Sequence, residues 1–356
     1  MSANATVRVS IVVACRNEVK HITAFLDSIF AQDTTGITWE AIVADGMSND
    51  GTREILDEYS ARHPQLRVIA NSGRIVSTGL NAAIRASRGE IIMRMDAHTS
   101  YAPDYCRLCL ETLESTGADN VGGPARTKAV GSQARAVAAA YHSRFSTGGA
   151  RFHNVDYEGF VDTVPYGCWR KETLVRLGMF DESLVRNQDD ELNLRLLRSG
   201  GKIWQNPAIV SWYSPRPTLS ALFRQYFQYG FWKVAVLRKH HIPGSWRHLV
   251  PVLFVLTNIL LIVGMAVTAV GASQWFNLAA GLWLAFVLTY ASACLFASLL
   301  AAAQSGWTTL PYLPAAFAAY HFSYGFGFFM GMVKLAVGPG PAISPAAETA
   351  FTKITR

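Results

Sequence analysis

The stretch VRVSIVVACRNE, residues 7–18, carries a mostly apolar, β-branched run from Val9 to Cys15 and then stops on Arg16, Asn17 and Glu18. The run is too short for an export signal and reads as a buried strand. The same alternation continues along the chain. NEVKHITAFLDSIFAQ (17–32) has apolar residues at helical spacing, WEAIVAD (39–45) is a second strand, and DGTREILDEYSARH (50–63) is a helix. LRVIAN (66–71) is a third strand, STGLNAAIRAS (77–87) a helix and EIIMRMD (90–96) a fourth strand. Strands alternating with helices at this spacing predict an α/β domain on a largely parallel sheet.

Ligands of such sheets gather at the carboxyl ends of the strands. The residues there are Arg16, Asn17 and Glu18; Asp45 and Gly46; Asn71 to Arg74; and Asp96, Ala97 and His98. No GxGxxG follows the first strand and no GxxxxGK[ST] occurs, which argues against a dinucleotide dehydrogenase or a P-loop NTPase. A carboxylate after a strand can accept from a base N–H or a ribose hydroxyl, and Arg74 can pair with a phosphate oxygen. Asp96 and His98 stand two apart, so in an extended segment they point the same way and can share a divalent cation. Two ligands suit a metal such as Mg²⁺, whose other positions are filled by water and a substrate diphosphate. On spacing alone, a turn-capping Asp96 and a surface His98 weigh equally.

RNQDDELNLRL (186–196) sets three carboxylates in a row, Asp189, Asp190 and Glu191. Leu192 and Leu196 lie one turn apart and Gly200-Gly201 ends the pattern, so the triplet opens a short helix. Successive helical side chains diverge by about 100°, and three neighbours cannot all face one cleft. Glu191 precedes Arg195 by four, the favourable order for a surface ion pair. Asp189 and Asp190 remain as candidates for chemistry.

Beyond Glu191 no Asp or Glu occurs until Glu348. Leu249–Gly271 and Phe276–Ala303 are uncharged and exceed the roughly 20 residues a helix needs to cross a bilayer. A third run, Leu310–Val333, contains Pro311, Pro314 and His321, together with a Gly327-to-Gly331 spacing that allows close helix approach. These give the expected division: a catalytic domain at 1–215, amphipathic interfacial helices at 216–248, about three spans at 249–336, and a tail at 337–356. Arg216, Arg224, Lys233, Arg238, Lys239 and Arg247 flank the first span without acidic company, which marks the cytoplasmic side. The net charge of +7 is therefore ascribed to anionic lipid rather than to nucleic acid. LFRQYFQYGFWKVAVLRKHH (222–241) fits a helix lying on the bilayer. Five scattered cysteines read as reduced thiols, with Cys106 and Cys109 on a packed helix face rather than at zinc.

VSIVVACRNE, IVADGMSNDGT, NSGRIVSTGLNAAIRASRGEIIMRMDAH, the segment from Gly167 to Ile209, and RQYFQYGFWK together resemble the family 2 glycosyltransferases of GT-A fold. The likeness is nearest to membrane-attached enzymes of exopolysaccharide biosynthesis and runs from Val7 to about Lys233. The resemblance implies that Asp45 contacts the uracil of a UDP-sugar and that Glu18 lies in the nucleotide-facing turn. It puts Asp96 and His98 at the DxD position, which binds Mg²⁺ or Mn²⁺ on the donor diphosphate. His98 replaces the second Asp and adds pH dependence, because a protonated imidazole cannot coordinate. Gln188 and Asp189 align with the family's Glu-Asp pair, which implies that Asp189 is the catalytic base; Asp190 falls at a variable position facing the acceptor or the helix N-terminus. Trp169 either stacks on an acceptor sugar or packs in the core. Gln228 and Trp232 echo a QxxRW motif of processive synthases, but Phe231 stands where Arg would be.

The implied activity is inverting transfer of a hexose, glucose in the first instance, from a UDP-sugar to a lipid-linked saccharide on the cytoplasmic face of a membrane. A processive polysaccharide synthase and a silent membrane scaffold are the alternatives. Loss of the QxxRW cation favours single addition over the first, and joint retention of Asp45, Asp96, His98 and Asp189 opposes the second.

Overall fold

The computed structural model describes residues 6–241, 245–270 and 275–337. The expected tail, apart from its first residue, lies outside them. The chain divides into two compact units, Met1–Lys128 with Arg151–Ser214, and Ala129–Ala150 with Pro215–Arg356. The second unit thus takes a segment that the sequence reading left inside the catalytic domain.

In the first unit, β1 (Val9–Cys15), β2 (Trp39–Asp45), β3 (Leu66–Ala70) and β4 (Ile91–Arg94) are joined by α1 (Ile22–Phe30), α2 (Thr52–Arg62) and α3 (Val76–Ala86). They pair in parallel in the order β3-β2-β1-β4. Alternate β1 side chains serve two cores: Ile11 and Val13 pack with Ile22, Leu26 and Leu56, and Val12 packs with Ile42, Leu80 and Ile84. Burial of both faces is why β1, β2 and β4 read as mostly apolar runs. Inside this apolar sheet Glu40 is fully buried, accepting from Ser10 Oγ (2.9 Å), Arg88 N (2.6 Å) and Arg88 Nε (2.9 Å).

The rest of the sheet is mixed. β5 (Thr99–Tyr101), α4 (Tyr105–Thr116) and β6 (Asn120–Gly122) precede the departure to the second unit. There the chain forms α5 (Ser132–His142) and α6 (Arg144–Thr147). After its return come β7 (Gly159–Phe160), β8 (Cys168–Arg170), α7 (Lys171–Leu177), α8 (Gln188–Arg198), β9 (Ile203–Gln205) and β10 (Ser211–Tyr213). The described sheet has eight strands, extended past β4 by β8-β6-β9-β7, with β8 antiparallel to both neighbours; β5 and β10 form a separate antiparallel pair.

The second unit adds α9 (Leu219–His240), α10 (Val250–Val270), α11 (Trp275–Ser305) and α12 (Leu313–Val337) to α5 and α6. Two helical segments are long and apolar enough to cross a membrane, Trp246–Val270 and Trp275–Ser305, among the described residues. The third expected span, in α12, is not one of them. A Cβ on Gly327 would run into the Phe227 carbonyl, and one on Gly230 into that of Tyr324. Small residues therefore seat α12 directly on α9. For the same reason α9 does not present one apolar face outward: Leu222, Phe231, Trp232, Val234 and Val236 are all buried. Ala136, Val137 and Ala140 of α5 join Ala297, Ala301 and Phe317 in one apolar cluster. Tyr320 Oη donates to the Val137 carbonyl (3.2 Å) and His321 Nε2 to that of Phe145 (2.9 Å).

Candidate functional site

The register of β1 on β2 sets Cys15 opposite Asp45, so the turns after both strands leave the sheet side by side. They are sewn together: Asn17 N donates to Ser48 Oγ (2.9 Å), Asn49 N to Asn17 Oδ1 (3.0 Å) and Gly46 N to the Cys15 carbonyl (2.8 Å). The sewing keeps Asn17 from starting α1, which begins only at Ile22. Asn17, Met47 and Arg74, one in the turn after each of β1, β2 and β3, adopt left-handed φ of 56°, 59° and 59°. Side chains other than glycine are strained there, and such strain clusters where loops are held for ligands.

Asp45 is buried and accepts from Ser48 N (3.2 Å) and Ser48 Oγ (2.6 Å), with Arg53 Nη1 at 3.9 Å. Glu18 is buried beside it, its amide donating to Thr52 Oγ1 (2.8 Å). Burial, reinforced by the Asp45 and Glu18 charges, pushes the Cys15 thiol far up. That thiol is no nucleophile. Arg74 is exposed and makes no ion pair among the described residues.

At the end of β4, Arg94 is 5% exposed. Its Nε and Nη2 donate to Asp96 Oδ1 and Oδ2 at 2.9 and 3.0 Å, a bidentate pair. Its Nη1 lies 3.7 Å from Asp189 Oδ2 and has no hydrogen-bond partner. Burial acts against the guanidinium charge, but Asp96 and Asp189 outweigh it, so its proton is held more tightly than in water. The turn beyond is fixed by the Asp96 amide, which donates to Tyr101 Oη (2.7 Å). His98 Nδ1 stands 3.6 Å from Glu18 Oε1.

Asp189 opens α8 behind Asn187, whose φ is 60°. Its side chain is 49% exposed, and Oδ1 accepts from the Asp190 amide (2.9 Å). Arg94 thus links Asp96 to Asp189, and two residues past Asp96 in the chain His98 pairs with Glu18. Sequence reasoning missed Arg94. The signal was there: it is the one charge within IIMRM and stands two before Asp96 on the same strand face. Glu191 needs correcting from a surface carboxylate to a fully buried one, because α8 turns it away from solvent toward Arg195 Nη2 (2.6 Å), itself partly exposed.

Other candidates lie elsewhere. Trp169 is buried against Phe180 in the core, as in the second of its two readings. Gln188 is buried, its Oε1 without a partner, and Asp190 is half-buried. Gln228 and Trp232 are buried in α9, within the second unit.

A divalent metal can be judged only by its ligands. No group of three or more His, Cys, Asp or Glu side chains close enough to share an ion occurs among the described residues. Both Asp96 oxygens already accept from Arg94, leaving their outer lone pairs and the His98 ring. This donor set fits a cation completed by a substrate's phosphates, not one caged by protein.

Residues 10–172 match the family described as Glycosyl transferase family 2. The succinoglycan biosynthesis protein ExoA of Rhizobium meliloti (strain 1021) is 32% identical over 77% of this chain and 85% of its own length. A dolichyl N-acetyl-α-D-glucosaminyl phosphate 3-β-D-2,3-diacetamido-2,3-dideoxy-β-D-glucuronosyltransferase of Methanococcus voltae is 27% identical over 71% of this chain and 81% of its own. Among solved structures, the mannosyltransferase PcManGT of Pyrobaculum calidifontis, in complex with GDP-Man and Mn²⁺, superposes with a TM-score of 0.56 at 21% identity, covering 87% of this chain and 85% of that one. The 32% identity to ExoA over most of both chains, with the family match over residues 10–172, shows that the chain belongs to the family 2 glycosyltransferases.

Proposed function

We propose that this glycosyltransferase moves a hexose, glucose in the first instance, from a UDP-sugar to a lipid-linked saccharide with inversion, at the cytoplasmic face of a membrane it spans more than once. One observation carries the reading: a half-exposed carboxylate, Asp189, faces the same buried guanidinium that grips Asp96. The acceptor hydroxyl oxygen bonds to the anomeric carbon as the bond from that carbon to the diphosphate oxygen breaks. The hydroxyl proton passes to Asp189 and the bonding pair leaves on the diphosphate. Asp45 and Glu18 hold the nucleoside, Arg74 meets the phosphates, and Gln188 and Asp190 serve the substrates beside the base. Mg²⁺ or Mn²⁺, held by Asp96 and His98, would offset charge on the leaving diphosphate.

Membrane attachment is supported by Leu253, Leu260, Val267, Leu282, Leu288 and Leu300, all exposed on α10 and α11. Trp246, where the first candidate span begins, and Trp307, just past the end of the second, are exposed as interfacial anchors are. The test is UDP release by the purified chain from a panel of UDP-sugars with a lipid-linked acceptor extract. The expected product is the acceptor lengthened by one hexose. A ladder of long chains, or turnover with no UDP-sugar, would sink the reading.

A further inference from the structure

We propose that Arg94 is the positioning residue for the base, and that it acts through the N–H group it leaves unpaired. The inference rests on Asp189 being that base. Two of the three Arg94 nitrogens are committed to Asp96 at hydrogen-bond distance, which fixes the guanidinium plane. The third, Nη1, is buried, lacks a partner and is aimed at Asp189 Oδ2 across 3.7 Å. A normal N–H···O bond needs that gap shortened by roughly 0.8 Å. Rotation of a half-exposed side chain supplies such a movement. The other oxygen, Oδ1, is already held by the Asp190 amide, so closing onto Nη1 fixes both ends of the carboxylate.

The base would then stand in one orientation, its remaining lone pairs toward the acceptor. Arg94 also sets the charge balance, since one permanent cation separates two carboxylates on opposite edges of its plane. Without it, Asp189 loses its guide, while the Asp96 turn stays anchored by its amide on Tyr101 Oη. A guanidinium suits this task better than an ammonium, because a rigid fork serves two partners at fixed angles.

The test is a double-mutant cycle on the full chain in detergent, with single-turnover rates for wild type, Arg94→Met, Asp189→Asn and the double variant. Arg94→Met is expected to lower kcat by about 10²-fold, the usual cost of losing a preorganised donor. Donor KM and the UDP Kd from calorimetry should stay within about 3-fold. Adding Arg94→Met to Asp189→Asn should cost less than about 3-fold further. Arg94→Lys should recover part of the rate. Equal losses in both backgrounds, or a fall in UDP affinity that matches the fall in rate, would overturn the inference and leave Arg94 as a prop for Asp96. If Arg94→Met does not fold, the same cycle with Arg94→Lys decides. Full activity in Asp189→Asn would instead remove the base assignment itself, and the inference with it.

Discussion

The Glu191 carboxylate, wholly shielded from solvent, takes two hydrogen bonds from the Arg195 guanidinium one turn along α8, 2.6 Å from Nη2 and 3.1 Å from Nε. Arg195 also donates to the Leu177 and Met179 carbonyls, so the pair clamps the end of α7 to α8. Removing one partner of such a pair strands the other's charge. Glu191→Gln is expected to destabilise the fold by about 3 kcal/mol, read as a lowered Tm in a circular-dichroism melt. A change within error would mean the clamp is dispensable.

Neighbouring carboxylates should behave differently. Asp189→Asn is expected to reduce kcat by about 10²–10⁴-fold with little change in donor KM. Asp190→Asn should cost less than about tenfold on the same scale. A reversed ranking in a UDP-release assay would move the base one residue along.

Acid should weaken the sheet through Glu40. Burial works to raise its pKa, but the Arg88 amide, the Ser10 hydroxyl and the Arg88 guanidinium outweigh burial and hold it below the usual carboxylate range. A group depressed in the folded state adds stability that is complete above its unfolded pKa of about 4.3. That stability is lost as pH falls through the folded-state value. Denaturant unfolding from pH 6 to pH 3 should therefore show a decline that Glu40→Gln flattens.

Metal should act through substrate. Calorimetry is expected to find tighter UDP binding with Mn²⁺ than with EDTA, and His98→Ala should erase most of the difference. Unchanged UDP affinity across the four combinations would leave the countercharge to Arg74.

Helix seating gives a paired comparison. Gly327→Leu has to displace the α9 backbone and is expected to cost 1–3 kcal/mol or about that, whereas Gly264→Leu meets nothing within 4 Å. Thermal aggregation in detergent should separate them; coincident curves would mean that α12 is not held on α9.

β1, β2 and β4 were legible because each buries both faces and so spells a mostly apolar run between turn residues, and the edge strand β3 by its β-branched Val68 and Ile69. β6, β8 and β9 are three residues each and leave no period to read. At the site, Glu18, Asp45, Asp96 and Asp189 announced themselves as acids after strands or at a helix start. Arg94 did not, because a cation inside an apolar strand is noticed only when its partners are known. The Gly327-to-Gly331 spacing promised close approach and delivered it, to α9. The destination of Ala129–Ala150 had no local signal, since an alanine-rich helix such as α5 fits many surfaces, and Ala297, Ala301 and Phe317, which it meets, come far later in the chain.

That excursion matters for anyone cutting the chain. The polypeptide passes between the units three times, at Lys128, Arg151 and Ser214. A truncation after Ser214 removes α9 to α12 but keeps α5, whose Ala136, Val137 and Ala140 would lose the residues that cover them. The first unit is therefore not obtained by one cut. It would need a second, internal excision of residues 129–150, closed by a short linker, before it could be expected to stay dispersed in water.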